Sequence, residues 1–544
     1  MKKILFLLLL VIFVKCSTGY TDKLSVTCEQ PVLPVLTMKD ANPVLKTTLI
    51  RNAAIDYSIN EVVVSLNGTT DLNDIESISL YQADNKGYID IKKQIGSGLP
   101  PSERVIFKNE FKVSADTVVL WVSMKLKNSI DLSHLVNASC EGIVTDLGKV
   151  DMTTAPKSSG LRTGVAVRQH TQDGIHTSRI PGLATSKKGT LLAIYDARRD
   201  MSRDLQGDID IALNRSFDGG RTWQPVQVVL DMKEWGGLPE KFNGVSDACI
   251  LVDDNSDDIY IAGLWMYGVL DANTGKWVPG MTKDSTRWIH QWQTKGSQPG
   301  FDVKETSQFL IAKSTDDGQT WSEPVNITRQ AKRKEWWLYA PAPGHGITLS
   351  DGTLLFPTQG RDETGLPFSN ITYSKNGGKT WITSNPAYNN TTECMAAQLS
   401  DGTVMLNMRD NRNRGNKEVN GRRIMITSDL GKTWIEHPTS HKALIEPTCM
   451  ASLHKHTFKR NGKEQSILLF SNPESYSTRD HITMKVSFDD GNTWPAEKRI
   501  LLDEYSGRGY SCITSIDENR IGILYESSQA DMVFQQILLD EFIK

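Results

Sequence analysis

The chain predicts an all-β protein: a six-bladed β-propeller preceded by a β-sandwich. Three observations carry that expectation. A boxed turn recurs five times, a strand–turn–strand unit recurs six times, and an N-terminal stretch of alternating strand text matches neither repeat.

The boxed turn reads Ser/Thr-x-Asp/Asn-x-Gly-x-Thr-Trp. Its copies are Ser216 to Trp223, Ser314 to Trp321, Ser374 to Trp381, Thr427 to Trp434 and Ser487 to Trp494. Each holds the parts of a self-bonded turn: a short Asp or Asn oxygen accepts backbone N–H bonds, Gly supplies permissive dihedrals, and Trp supplies a large apolar anchor. The starts lie roughly 98, 60, 53 and 60 residues apart. That spacing suits a four-stranded propeller blade with insertions better than a compact helical repeat.

Before each box the text repeats as well. Strand–turn–strand units run Ile180 to Tyr195, Cys249 to Trp265, Gly346 to Pro357, Met395 to Met408, Cys449 to Phe470 and Cys512 to Tyr525. The turns Ser350-Asp351-Gly352-Thr353 and Ser400-Asp401-Gly402-Thr403 are hairpin signals followed by apolar runs. Six units imply six blades. The last lacks a box, which fits a closing blade assembled from chain ends.

Residues 20–153 show alternating text such as Glu61 to Leu66 and Thr117 to Ser123, and are expected to form the separate β-sandwich, acting either as a glycan binder or as a spacer. A polar linker is expected over 154–163 and the propeller over 164–544. Residues 1–19 have the layout of a cleaved export signal, with Lys2 and Lys3 before the apolar run Ile4 to Val14 and small residues Ser17, Thr18 and Gly19 after it. The expected location is periplasmic or extracellular, with lipid anchoring at Cys16 as the alternative. The run is too short to span a bilayer comfortably.

A formal charge of −3 offers no polycation for nucleic acid, and Lys332-Arg333-Lys334 reads as a solvated loop. The remaining cysteines, Cys28, Cys140, Cys249, Cys394, Cys449 and Cys512, include no C-x-x-C pair, so zinc-ribbon and dithiol redox motifs are absent. Cys28 and Cys140 could bridge or could both be buried thiols. The acidic run Asp253, Asp254, Asp257 and Asp258 lacks the ligand spacing of a calcium loop and reads as a hairpin turn.

Four arginines narrow the chemistry. Arg198, Arg409 and Arg479 follow a blade strand, and Arg179 enters the first blade just before Ile180-Pro181. Equivalent places in repeated blades open toward one end of the axis, so these cations should converge. Convergent guanidiniums demand an anion, and the planar fork suits a carboxylate.

Ser178-Arg179-Ile180-Pro181 resembles the Arg-Ile-Pro motif of exo-sialidases (neuraminidases), and the boxed turns resemble that family's Asp boxes; the resemblance covers roughly Arg162 to Lys544. It implies that Arg179, Arg409 and Arg479 bind the carboxylate of sialic acid. Arg198 and Asp247 would contact the ring 4-hydroxyl, although Ala248 stands where the family often has Pro. Tyr510 in Gly509-Tyr510-Ser511 matches the nucleophile, Glu393 in Thr392-Glu393-Cys394 its base, and Glu526 the carboxylate that orients the first arginine. Asp204 is the expected acid/base, with Asp200 and Asp208 as nearby rivals and Asp196 in a structural role. A neutral phenol avoids the like-charge repulsion that a carboxylate nucleophile would meet beside the sialoside carboxylate.

The resemblance therefore implies hydrolysis of terminal α-linked sialic acids with retention. No metal or organic cofactor is required. Expected partners are sialylated glycans (glycoproteins, gangliosides and oligosaccharides), with no nucleic acid, no stable membrane span and a monomeric chain. A trans-sialidase and a non-hydrolytic sialic-acid-binding adhesin are the alternatives. Trp277, Trp288 and Trp292, in the insertion Gly268 to Gln308, are read either as a wall over the sugar or as a local core.

Overall fold

A computed structural model describes residues 20–52, 55–154, 160–267, 281–286, 288 and 296–544. The stretch 1–19 that reads as an export signal, with Cys16, lies outside the described residues. No described helix is long and apolar enough to cross a membrane.

The chain divides into two units. One comprises residues 1–31, 43–124 and 137–160, and the other 32–42, 125–136 and 161–544. The boundary expected near residue 153 is thus interrupted: two short pieces of the N-terminal stretch belong with the second unit. Within that unit Val35–Thr37 and Leu135–Val136 both pair with Leu161–Arg168. Long-range pairing of this kind leaves no periodic mark in a sequence.

In the first unit the described strands form one hydrogen-bonded path of nine, with Ile89–Leu99 and Arg104–Val113 at its ends and Asn42–Arg51 beside Tyr20–Glu29 at its centre. Val64, Leu49, Ile78 and Leu120 are fully buried there. The strand text read from residues 117–123 falls inside Thr117–Leu126, and that from 61–66 falls inside Tyr57–Ser65 but for its last residue, Leu66.

The second unit is a β-propeller whose described strands form six sheets. The first sheet is a meander of Thr177–Thr185, Leu191–Arg198, Ile209–Ser216 and Gln227–Leu230. Sheets beginning at Val245–Val252, Leu338–Pro341, Thr391–Gln398 and Ser452–Arg460 repeat that plan. The sixth runs Ser511–Ser515, Arg520–Tyr525 and Met532–Leu538, and takes Leu161–Arg168 as its outer strand. Thr177–Thr185 touches both Val245–Val252 of the second sheet and Ser511–Ser515 of the sixth, so the array closes on itself. Apolar residues from facing sheets fill the gaps between them; Leu192, Ile194 and Ile211 of the first meet Ile250, Ile259 and Ile261 of the second.

Every box starts on the last residue of a third strand and turns the chain into the fourth. In the first box Ser216 Oγ donates to Asp218 Oδ1 (2.9 Å), Thr222 N donates to the same oxygen (3.0 Å), and Trp223 Nε1 donates to Gly220 O (3.0 Å). The sixth sheet has no box because it has no such turn: its fourth strand arrives from the other end of the unit.

Candidate active site

An antiparallel meander puts the start of its first strand and the end of its second strand at one end of the propeller. The candidate residues occupy those places. Arg179, Asp247 and Glu393 lie near the starts of first strands; Arg198 and Arg409 lie at the ends of second strands; Glu526 directly follows one, and Tyr510 directly precedes Ser511–Ser515. Arg479 is on the loop after Lys463–Pro473.

Three of the first strands are irregular at the point where they carry their site residue. The pairing register shifts between Arg179 and Gly182, between Ser246 and Cys249, and between Thr391 and Cys394. Such bulges re-aim side chains that a regular strand would present alternately. Ile180 and Asp247 have φ of 63° and 57°, the left-handed region that a β-branched residue such as isoleucine rarely enters. Glu526 holds the first: its Oε1 accepts from Ile180 N (3.0 Å) as well as from Arg179 Nε (2.6 Å).

Tyr510 and Glu393 meet. The phenol donates a hydrogen bond to Glu393 Oε1, and Arg409 Nη1 donates both to Glu393 Oε2 (2.5 Å) and to the phenol oxygen (3.2 Å). The Arg179 and Arg479 guanidinium carbons lie 5.5 Å and 5.6 Å from the centre of the Tyr510 ring. Three guanidiniums therefore surround one phenol. Burial and the Glu393 charge push the phenol well above its ordinary value, against the pull of Arg409 and Arg479. That direction keeps the proton on the phenol oxygen, which donates to Glu393.

Glu526 also ties the clamp to the phenol's backbone. Its Oε2 accepts from Tyr510 N (3.1 Å), and its own N–H donates to Tyr510 O (2.9 Å). Burial disfavours its charge, but Arg179 and these bonds outweigh that and hold its carboxyl below the usual range. Arg479 is anchored differently, through Nη1 to Arg508 O (2.9 Å).

On the other side, Arg198 donates to Asp204 Oδ1 (2.6 Å) and to Asp196 Oδ2 (2.9 Å), while Arg179 Nη1 lies 3.9 Å from Asp204. Asp204 is 62% exposed and Asp196 fully buried, which separates a carboxyl that solvent and ligand can reach from one that only supports. Of the rivals, Asp200 accepts from Asp208 N (3.1 Å), and Asp208 pairs with Arg199 (3.4 Å). Asp196 is a larger organiser than its sequence context suggests: it accepts from Arg198, from Ser246 Oγ (2.6 Å) and from Asp247 N (3.2 Å). Burial, with the charges of Asp196 and Glu393, pushes Asp247 well above the ordinary carboxyl value.

Sequence reasoning missed Gln359, whose Nε2 donates to Asp247 Oδ2 (3.1 Å). Its place at the end of the second strand Leu354–Arg361, equivalent to that of Arg198 and Arg409, was the available signal. Trp288 packs against Phe242 (ring centroids 4.7 Å) in an apolar cluster, so it belongs to a local core and not to a wall over the site. Trp277 and Trp292 lie outside the described residues. The six described cysteines are buried free thiols.

Comparison with known proteins shows the family. Residues 189–523 match the BNR repeat-like domain, and residues 23–148 match the N-terminal domain of BNR-repeat neuraminidase. A sialidase of Bacteroides fragilis is 39% identical over 540 residues, 94% of each chain. The chain belongs to the exo-α-sialidase family of glycoside hydrolases. A solved member, the Hadza microbial sialidase Hz136, superposes with a TM-score of 0.85 at 33% identity, covering 95% of this chain and all of that one. A Paraclostridium sordellii sialidase is 29% identical over 64% of this chain and 81% of its own length. The last match leaves about a third of this sialidase-family chain uncovered, whereas the first two include its N-terminal unit.

Proposed function

We propose that the protein removes terminal α-linked sialic acids from glycans with retention, through a covalent intermediate on Tyr510. The observation that carries the reading is the phenol hydrogen-bonded to Glu393 within a cage of three arginines.

The sugar carboxylate binds Arg179, Arg409 and Arg479, each able to offer charge-assisted bonds worth about 1.5–3 kcal/mol. Arg198, Asp247 and Gln359 face the ring 4-hydroxyl side. Bound sugar takes the Arg198 hydrogen bond away from the solvent-exposed Asp204, whose carboxylate then takes up a proton from solvent and passes it to the departing glycosidic oxygen. Tyr510 attacks the anomeric carbon as its proton passes to Glu393, forming one C–O bond while the bond to the glycan breaks. Arg409, already bonded to both the phenol and Glu393, stabilises the phenolate character that develops. Asp204, now a carboxylate, removes a proton from water; the water attacks the anomeric carbon as its bond to the Tyr510 oxygen breaks, and Glu393 returns the proton to that oxygen.

A fluorogenic sialoside assay on folded variants tests this. Tyr510→Phe should lower kcat by roughly 10³-fold or more, and Asp204→Asn by about 10²–10⁴-fold, with the larger loss on poor leaving groups. Asp200→Asn should leave activity nearly unchanged. Full activity in Tyr510→Phe would overturn the covalent route. Product analysis with and without lactose separates hydrolysis from transfer.

A further inference from the structure

We propose that the buried ion pair Arg422–Glu446 is a positioning device for Arg409 and hence for the carboxylate clamp; the inference rests on the reading of Arg409 given above. The side chains of both residues are wholly buried, 2.7 Å apart, and neither contacts the phenol or Glu393.

Arg409 sits where the sheet no longer fixes it. Along Val404–Asp410 the pairing with Arg423–Thr427 ends at Met408, and on the other side the register jumps from Cys394↔Met408 to Thr391↔Asp410. Arg409 thus has no register partner on either side. Side chains take over that task. Arg422 donates from Nε to Asn407 Oδ1 (2.7 Å) and from Nη2 to Asn407 O (3.2 Å). Glu446 Oε1 accepts from Asp410 N (2.8 Å). The pair therefore grips the chain two residues before Arg409 and one residue after it.

The same guanidinium reaches toward the phenol. Arg422 Nη1 donates to Cys449 O (2.7 Å), and a Cβ on Gly509, the residue before Tyr510, would lie 3.0 Å from Cys449 Sγ. Arg422 thereby ties the end of the fourth sheet to the loop that leads into the fifth, at the point where Cys449 Sγ lies against the residue before Tyr510. Stability alone is a poor account of this arrangement, since apolar residues of similar volume often replace a buried ion pair without loss. What they cannot replace is directed hydrogen bonding to residues 407, 410 and 449. A displacement of about 1 Å in a binding group can lower turnover about 10²-fold.

The test separates fold from positioning. The double variant Arg422→Met/Glu446→Leu removes both charges and keeps the volume but leaves the Asp410 N–H and the Asn407 and Cys449 carbonyls unpaired, so its Tm should fall while the chain still folds. Calorimetric Kd for free sialic acid and KM for a fluorogenic sialoside should each rise about tenfold or more, with a smaller fall in kcat. A folded double variant with wild-type Kd and KM overturns the proposal. Arg422→Lys provides a second reading that keeps the buried charge: one ammonium cannot serve Asn407 Oδ1, Asn407 O and Cys449 O together. The same direction of change is expected, and unchanged Kd and KM in that folded variant also overturn the proposal. Kd needs no turnover, so an inactive wild type that still binds sialic acid would defeat the hydrolase reading while the binding comparison still decides the role of the pair.

Discussion

Asp208 and Asp210 flank the start of the strand that follows the Arg198 loop, and their surroundings oppose their charge. Burial, with the neighbouring charges of Glu240 and Asp200, pushes Asp208 up to about 6 against the pull of Arg199; burial and the charge of Asp208 push Asp210 up to about 7. Arg199, 2.7 Å from Asp210, only partly compensates. A carboxyl whose value is raised in the folded chain binds more protons there than in the unfolded chain. Its contribution to stability is full below about pH 4 and is lost as pH rises through about 6 to 7. Asp210→Asn should therefore gain stability relative to wild type across that window, by roughly 2–4 kcal/mol between pH 4 and 8. Urea unfolding of both proteins at pH 4.5, 6 and 8 measures the difference; a gap that does not widen with pH would refute it. At this scale the sequence was informative about identity more than geometry. Tyr510, Glu393 and the arginines stand in recognisable local text, whereas Gln359 and the reach of Asp196 depend on partners far along the chain.

The boxed turn was legible because its bonds close within eight residues. Asp316 accepts from Ser314 Oγ (2.8 Å), Thr320 N (2.8 Å) and Thr320 Oγ1 (2.5 Å), bonds that hold its carboxyl down to about 2. Asn376 occupies the same place in the third box, accepting from Ser374 Oγ (2.9 Å) and Thr380 N (3.0 Å) and donating to Thr380 Oγ1 (2.8 Å). Amide and carboxylate are thus interchangeable in geometry. Asp316→Asn should change stability by less than about 1 kcal/mol at pH 7, and Asp316→Ala, which strands three donors, should cost about 1–3 kcal/mol. The depressed value places the carboxylate's contribution above about pH 4, with loss as pH falls through about 2. Thermal denaturation at pH 7 and pH 2.5 should accordingly show the acidic wild type losing ground to the Asn variant. The bulges at Arg179, Asp247 and Glu393 were illegible for the converse reason: register is a property of two strands, and one strand's text does not state it.

Six repeated units announced six sheets, yet the manner of closure depends on pairing between residues more than 360 positions apart, such as Val165 with Phe534. The fully buried Phe534 occupies that seam. Its ring lies 5.3 Å from Trp223 of the first box, and added Cβ atoms on Gly220 and Gly522 would stand 2.0 Å and 2.9 Å from it. Gly220 is doubly constrained, since its φ of +93° also disfavours a side chain. One aromatic ring thus joins the last sheet to the first through a slot that glycines keep open. Phe534→Ala should cost about 3–5 kcal/mol, because the slot is walled by backbone and cannot collapse onto the space left. Among the described residues the two ends of this unit meet by noncovalent strand pairing, so the loss should appear first at the seam. Hydrogen exchange of the variant should show protection falling in Leu161–Arg168 and Met532–Leu538 while Val404–Asp410, on the fourth sheet, stays protected. Uniform loss across all six sheets, or a change below about 1 kcal/mol, would mean that closure is carried by the short strands Val35–Thr37 and Leu135–Val136 that flank Leu161–Arg168.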